Sequence, residues 1–122
     1  MPKIFTLSAK ERLKSRKRIA ALFESGKKFN AGPFRVFYLQ NNPGKQALRF
    51  GVGVSVRNFK KAVDRNRIKR LARECWRLQK INLVYKPGEL DVFIIYTGKI
   101  IPAYKAVSEW MEQVVAKLLS LN

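Results

Sequence analysis

Residues 61–80 (KAVDRNRIKRLARECWRLQK) constrain the fold more than any other stretch. On a helical wheel of about 100° per residue, Leu71, Ala72, Cys75 and Leu78 fall within about 80° of Ile68 and predict a buried stripe. Arg65, Lys69, Lys80, Arg73, Asn66, Arg77 and Arg70 fall between about 60° and 200° from it. Six cations and an amide donor therefore share one side of a helix, with Asp64 and Glu74 outside that arc and Arg67 at its margin. A solvated salt-bridge helix would place acids at three- and four-residue spacing, whereas here like charges stack. Such a helix needs an apolar partner on one side and a polyanion on the other.

The charge of the whole chain agrees. Its 122 residues hold 26 Lys and Arg against eight Asp and Glu, a formal +18 with no histidine. The excess is uneven: +7 over residues 1–28, +3 over 29–56, +9 over 57–86 and −1 over 87–122. Arginine predominates in the basic helix, and its planar fork suits bidentate contact with phosphate oxygens. A lipid surface would require a broad aromatic and leucine face, while the stripe here is narrow and contains Ala72 and Cys75. Nucleic acid is the expected partner, and no apolar run approaches the roughly 20 residues of a membrane span. The lone Cys75 fits a reducing, cytoplasmic setting.

The length predicts one domain over 1–122, with 1–12 a loosely held lead-in. Ser15–Ser25 reads as a short helix carrying Ile19, Leu22 and Phe23, stopped at Gly26, with Arg16, Lys17 and Arg18 on its other sides. Phe34–Gln40 alternates as a strand, Phe34, Val36 and Tyr38 opposing Arg35, Phe37 and Leu39. Asn41-Asn42-Pro43-Gly44 is a turn signal that predicts a hairpin to a second strand, Ala47–Val56. Leu48, Phe50, Val52, Val54 and Val56 share one face of that strand. The other carries Ala47, Arg49, Gly51, Gly53 and Ser55, bare enough for a second backbone or a packed helix. Leu90–Tyr96 predicts a buried strand after Pro87-Gly88. Ala103–Leu119 predicts an amphipathic helix on the stripe Tyr104, Val107, Met111, Val114 and Leu118, joined by Trp110 and Val115. The expected class is α+β, helices on a small sheet.

The string from Lys61 to Glu74 closely resembles the RNR signature of the bacterial ribonuclease P protein family. The likeness extends to the Leu13…Ile19…Phe23 helix, the Phe34–Leu39 strand, the Gly51–Val56 strand and the Asp91–Tyr96 strand. It implies αβββαβα order, a four-stranded sheet and a left-handed βαβ crossover around the RNR helix, against the usual right-handed rule. It implies the small subunit of a ribonucleoprotein that removes the 5′ leader of precursor tRNA, with Mg²⁺-dependent chemistry carried by the RNA subunit and the protein alone inactive. Lys61, Arg65, Asn66, Arg67, Lys69, Arg70 and Arg73 match the family's RNA-contacting motif, and Arg77 joins them on the wheel. Ile19, Phe23, Arg35 and Phe37 match a cleft that holds the single-stranded leader, which Gly51, Gly53 and Ser55 would adjoin. The expected partners are the ribonuclease P RNA and precursor tRNA; no membrane or protein partner is implied.

Two positions depart from the family pattern: Asn58, where a second basic residue follows Arg57, and Thr97, where the late strand ends in arginine. The residues separately argue against catalysis by the protein. There is no histidine base, Cys75 lies on the buried stripe without a histidine partner, and the acids are scattered, with Glu89 and Asp91 reading as turn and strand-start residues. A ribosomal-type RNA-binding protein with no role in cleavage remains the alternative on composition alone.

Overall fold

A computed structural model describes residues 12–41, 46–84 and 88–121. The elements run α1 (Arg16–Ser25), β1 (Lys27–Ala31), β2 (Phe34–Asn41), β3 (Ala47–Val54), α2 (Ala62–Gln79), α3 (Ile81–Val84), β4 (Glu89–Tyr96) and α4 (Tyr104–Leu119). The strands form one sheet in the order β1-β2-β4-β3. β4 runs antiparallel to β2 and parallel to β3, so β3 and β4 are joined by a crossover through α2.

This order corrects the expected hairpin between the second and third strands. β4 lies between them, and β2 instead forms a hairpin with β1. Residues 27–31 carry two lysines and an asparagine around Phe29, which masks their strand character in the sequence. The turn is Gly32-Pro33, where Gly32 adopts φ 59 and a Cβ would strike the Trp110 ring at 2.5 Å. Glycine is required there for both its backbone and the space it leaves. The Asn42-Pro43-Gly44 signal and Pro87 lie outside the described residues, as does all of 1–12 except Arg12. Arg12 forms a parallel bridge with Phe50, and the Leu13 amide donates to the Phe50 carbonyl at 2.9 Å, so this stretch is fastened along the outer edge of β3.

Strand alternation divides the sheet between two environments. Phe34, Val36 and Tyr38 of β2, Phe50 and Val52 of β3, and Leu90, Val92, Ile94 and Tyr96 of β4 are buried in the core beneath α2 and α4. α4 supplies Val107, Met111, Val114, Val115 and Leu118 as expected, with Tyr104 exposed at its first turn. α2 supplies Ile68, Ala72, Cys75 and Trp76. Here the predicted stripe is rotated. Leu78 is 42% exposed, and Trp76, some 80° around the wheel on the supposed cationic side, is buried with its ring stacked on Phe50 at 4.4 Å and 13°. Val56 lies past the end of β3 and is exposed. α1 packs on the opposite face of the sheet, against β2 and β4, through Leu22.

Candidate nucleic-acid interface

The N-terminus of α2 is held by side chains from outside its first turn. Lys61 at the N-cap makes no side-chain cap bond. Instead, the Arg65 guanidinium reaches back and donates to the carbonyls of Phe59 (2.7 Å) and Lys60 (2.9 Å). Phe59 is buried beside Tyr96, ring centroids 6.1 Å apart. The Asn58 amide donates to the carbonyls of Thr97 (3.4 Å) and Gly98 (3.3 Å), and the Thr97 hydroxyl donates to the Pro33 carbonyl at 2.7 Å. The two positions that depart from the family pattern therefore touch each other, tying the loop before α2 to the end of β4. Asp64 in the first turn and Arg77 in the last agree in sign with the helix dipole.

Along α2, Asn66, Arg67, Arg70 and Arg73 are exposed, as is Lys61 at its start. Lys69 is half-buried. Arg65 is half-buried with part of its guanidinium spent on the backbone. Arg77 is also half-buried, and its guanidinium donates to both carboxylate oxygens of Glu74. That hydrogen bond holds the Glu74 carboxyl below its ordinary pKa. Lys80 does not belong to this surface: it follows the last helical residue and is fully buried. The outward ridge is thus rotated from the wheel arc, away from the buried Trp76, and runs over Arg67, Arg70 and Arg73.

The second predicted surface lies on the far side of the sheet. Phe23 of α1 is 48% exposed and stands perpendicular to two rings of the sheet, Phe37 at 4.8 Å and Phe93 at 5.7 Å. Ile19 is half-buried beside it on α1, and Arg35 is exposed on β2. The structure thus brings Ile19, Phe23, Arg35 and Phe37 to one face, with Gly51 and Gly53 on β3. The bare strand track is covered by the Phe93 ring and, at Gly51, approached by the Leu13 backbone carbonyl, 3.1 Å from where a Cβ would stand. A Cβ on Gly51 would lie 2.7 Å from the Phe93 ring, and one on Gly53 3.3 Å from it. Ser55 follows the end of β3, and its hydroxyl accepts from the Arg57 amide at 3.2 Å.

Several residues of this face escaped the sequence reading. Phe93 sits where strand alternation places it, opposite in facing to Val92 and Ile94, a signal present in the 90–96 run. Lys28 and Asn30, exposed on β1, align with Phe37 and Arg35. Glu89 and Asp91, expected as turn and strand-start residues, are 3% and 2% exposed within β4. Arg49 donates to Asp91 at 3.0 Å and to Glu89 at 3.1 Å, and Arg18 of α1 donates to Asp91 at 3.2 Å. Burial works to lower the Arg49 pKa, but the hydrogen bonds to Asp91 and Glu89 outweigh it and hold it above the usual arginine value. The four groups clamp α1 to the sheet at one end of the cleft.

Comparison with known proteins gives the family of the chain. The Ribonuclease P family model matches residues 7–120. The chain belongs to the ribonuclease P protein family. The ribonuclease P protein component of Porphyromonas gingivalis is 33% identical, with 96% of this chain and 89% of that one covered. That of Thermotoga maritima is 32% identical over 95% and 92%. The solved Thermotoga maritima RNase P protein superposes with a TM-score of 0.72 at 28% identity, over 88% of this chain and 96% of that chain. The Staphylococcus aureus RNase P protein shares the fold, with a TM-score of 0.71 at 23% identity. The α+β architecture expected from the sequence is therefore the family's own, and membership makes this chain a ribonuclease P subunit whose partner is the ribonuclease P RNA. No helix among the described residues is long and apolar enough to cross a membrane.

Proposed function

We propose that this protein binds the catalytic RNA of ribonuclease P through the outer ridge of α2 and grips the 5′ leader of precursor tRNA in the cleft between α1 and the sheet. The observation that carries the reading is the pairing of two surfaces on opposite sides of one sheet. One is a rigid helix with Arg67, Arg70 and Arg73 turned outward; the other is an exposed ring, Phe23, braced by Phe37 and Phe93 beside Arg35. Spaced guanidinium groups suit the phosphates of a folded RNA. An aromatic platform next to a cation suits an unpaired strand of any sequence, at about 1–3 kcal/mol per stacked base. A purely structural RNA-binding protein would need the first surface and not the second.

The protein's contribution is affinity and charge screening, with the hydrolysis carried by the RNA. Cys75 is buried, and burial pushes its thiol pKa up, which removes it as a nucleophile. The buried acids Glu89 and Asp91 are occupied by Arg18 and Arg49 and do not fit a metal ion. In this reading Mg²⁺ is held by the RNA, where phosphate neutralisation by α2 would favour its binding. A cytoplasmic setting fits the single free thiol.

The test mixes the protein with precursor tRNA in the presence and absence of a ribonuclease P RNA. Faster or tighter RNA-dependent cleavage, with none by the protein alone, is the expected result. Cleavage without the RNA would refute the division of labour, and no effect on the RNA reaction would favour the structural role.

A further inference from the structure

The cleft is not uniformly open along the sheet, and its asymmetry fixes a path. On the β3 side the floor is closed. The Phe93 ring covers Gly51 and Gly53, the Leu13 carbonyl lies 3.1 Å from where a Gly51 Cβ would stand, and the Leu13–Phe50 hydrogen bond fastens a further segment along that edge. The cation of this strand, Arg49, is engaged by Asp91 and Glu89. On the β1 side the floor is open and cationic. Register places Lys28 beside Phe37 and Asn30 beside Arg35, so each pair lies on one face about 4.8 Å apart across the strands. Lys28, Asn30 and Arg35 are all exposed, and neither Lys28 nor Arg35 makes an ion pair among the described residues.

From this we infer that the leader leaves the Phe23 ring across β2 toward β1, with Arg35 and Lys28 taking its phosphates, and that Phe93 keeps it off β3. The occupant is a single-stranded RNA because the open side offers a ring, two cations and an amide in sequence. The inference rests on the leader-binding reading and adds a direction to it. It also gives Gly51 a definite role: the glycine seats the Phe93 ring and the Leu13 carbonyl, which leaves no room over it for the leader.

The experiment uses the holoenzyme reconstituted with ribonuclease P RNA, and precursor tRNAs carrying either an eight-nucleotide or a one-nucleotide leader. Lys28→Ala and Arg35→Ala are each expected to weaken binding of the long-leader substrate roughly three- to tenfold, to reduce its salt slope by about one, and to leave the short-leader substrate unchanged. Leaders carrying 4-thiouridine should photo-crosslink to the peptide spanning 27–41 and not to that spanning 47–55. Crosslinking to 47–55, with Lys28→Ala and Arg35→Ala neutral and Phe23→Ala weakening the long leader, would overturn the path and leave the cleft intact. Neutrality of all three variants on leader dependence would overturn the cleft itself.

Discussion

Residue chemistry on α2 divides its cations into those held by the protein and those offered outward. Arg65 holds the backbone of the preceding loop, and Arg77 is held by Glu74. Arg67, Arg70 and Arg73 are turned outward and exposed. The Glu74–Arg77 pair is only half-buried, still well solvated, and contributes little to folding. Its effect on Glu74 is a pKa below the ordinary value, so whatever stability it adds is present above the unfolded carboxyl's pKa and is lost as the solution is acidified through the lower, folded value. The larger consequence is for RNA. Glu74→Gln removes a carboxylate from beside the ridge and with it the ion pair that engages the Arg77 guanidinium. The variant should bind the ribonuclease P RNA more tightly, with a salt slope steeper by about one, and should melt close to the wild type. An unchanged slope would mean that Arg77 faces no phosphate.

At the level of elements, the decisive contact is α2 on β3, made by Trp76 stacked on Phe50. Truncating that ring would leave a cavity at the centre of the core. Trp76→Ala should cost about 3–5 kcal/mol in denaturant unfolding, whereas Leu78→Ala should cost under about 1 kcal/mol. The pair tests the rotation of the helix directly, because the wheel centred on Ile68 predicts the reverse order. That wheel was legible in outline, since Ile68, Ala72 and Cys75 are all buried. What it could not supply was the width of the partner: two layers, the sheet and α4, extend the buried arc toward Trp76. The strand pattern was equally legible one strand at a time, and the buried faces of β2 and β4 follow it closely. Pairing was not, because a turn signal is local while the insertion of β4 between β2 and β3 brings together residues roughly forty to sixty positions apart. For the site, Phe23 and Phe37 could be found from sequence and meet as expected. Lys28 could not, since its strand pairs only through the hairpin at Gly32.

Across the whole molecule, a formal +18 is divided between surfaces that need it and a core that tolerates almost none. Glu89 and Asp91 are buried against Arg18 and Arg49, a cluster that salt screens poorly because water is largely excluded from it. Among the described residues the remaining cations are mostly exposed, repel one another and weaken the free fold. Salt should therefore act in opposite directions on folding and on binding. Raising the ionic strength screens the repulsion in the free protein, and relief of roughly 1 kcal/mol would raise its Tm by about 3–6 °C. The same change competes with RNA phosphates for the ridge. With Lys61, Arg67, Arg70 and Arg73 as outward contacts, the duplex coefficient gives a log–log slope near −3.6, so a fourfold increase in salt should weaken RNA binding by roughly two orders of magnitude. Thermal melting of the free protein and RNA affinity, both measured from 50 to 200 mM KCl, give the two slopes. A Tm that falls with salt would mean that surface ion pairs outweigh the repulsion. The +18 would then be balanced within the fold, and RNA would not be needed to relieve it.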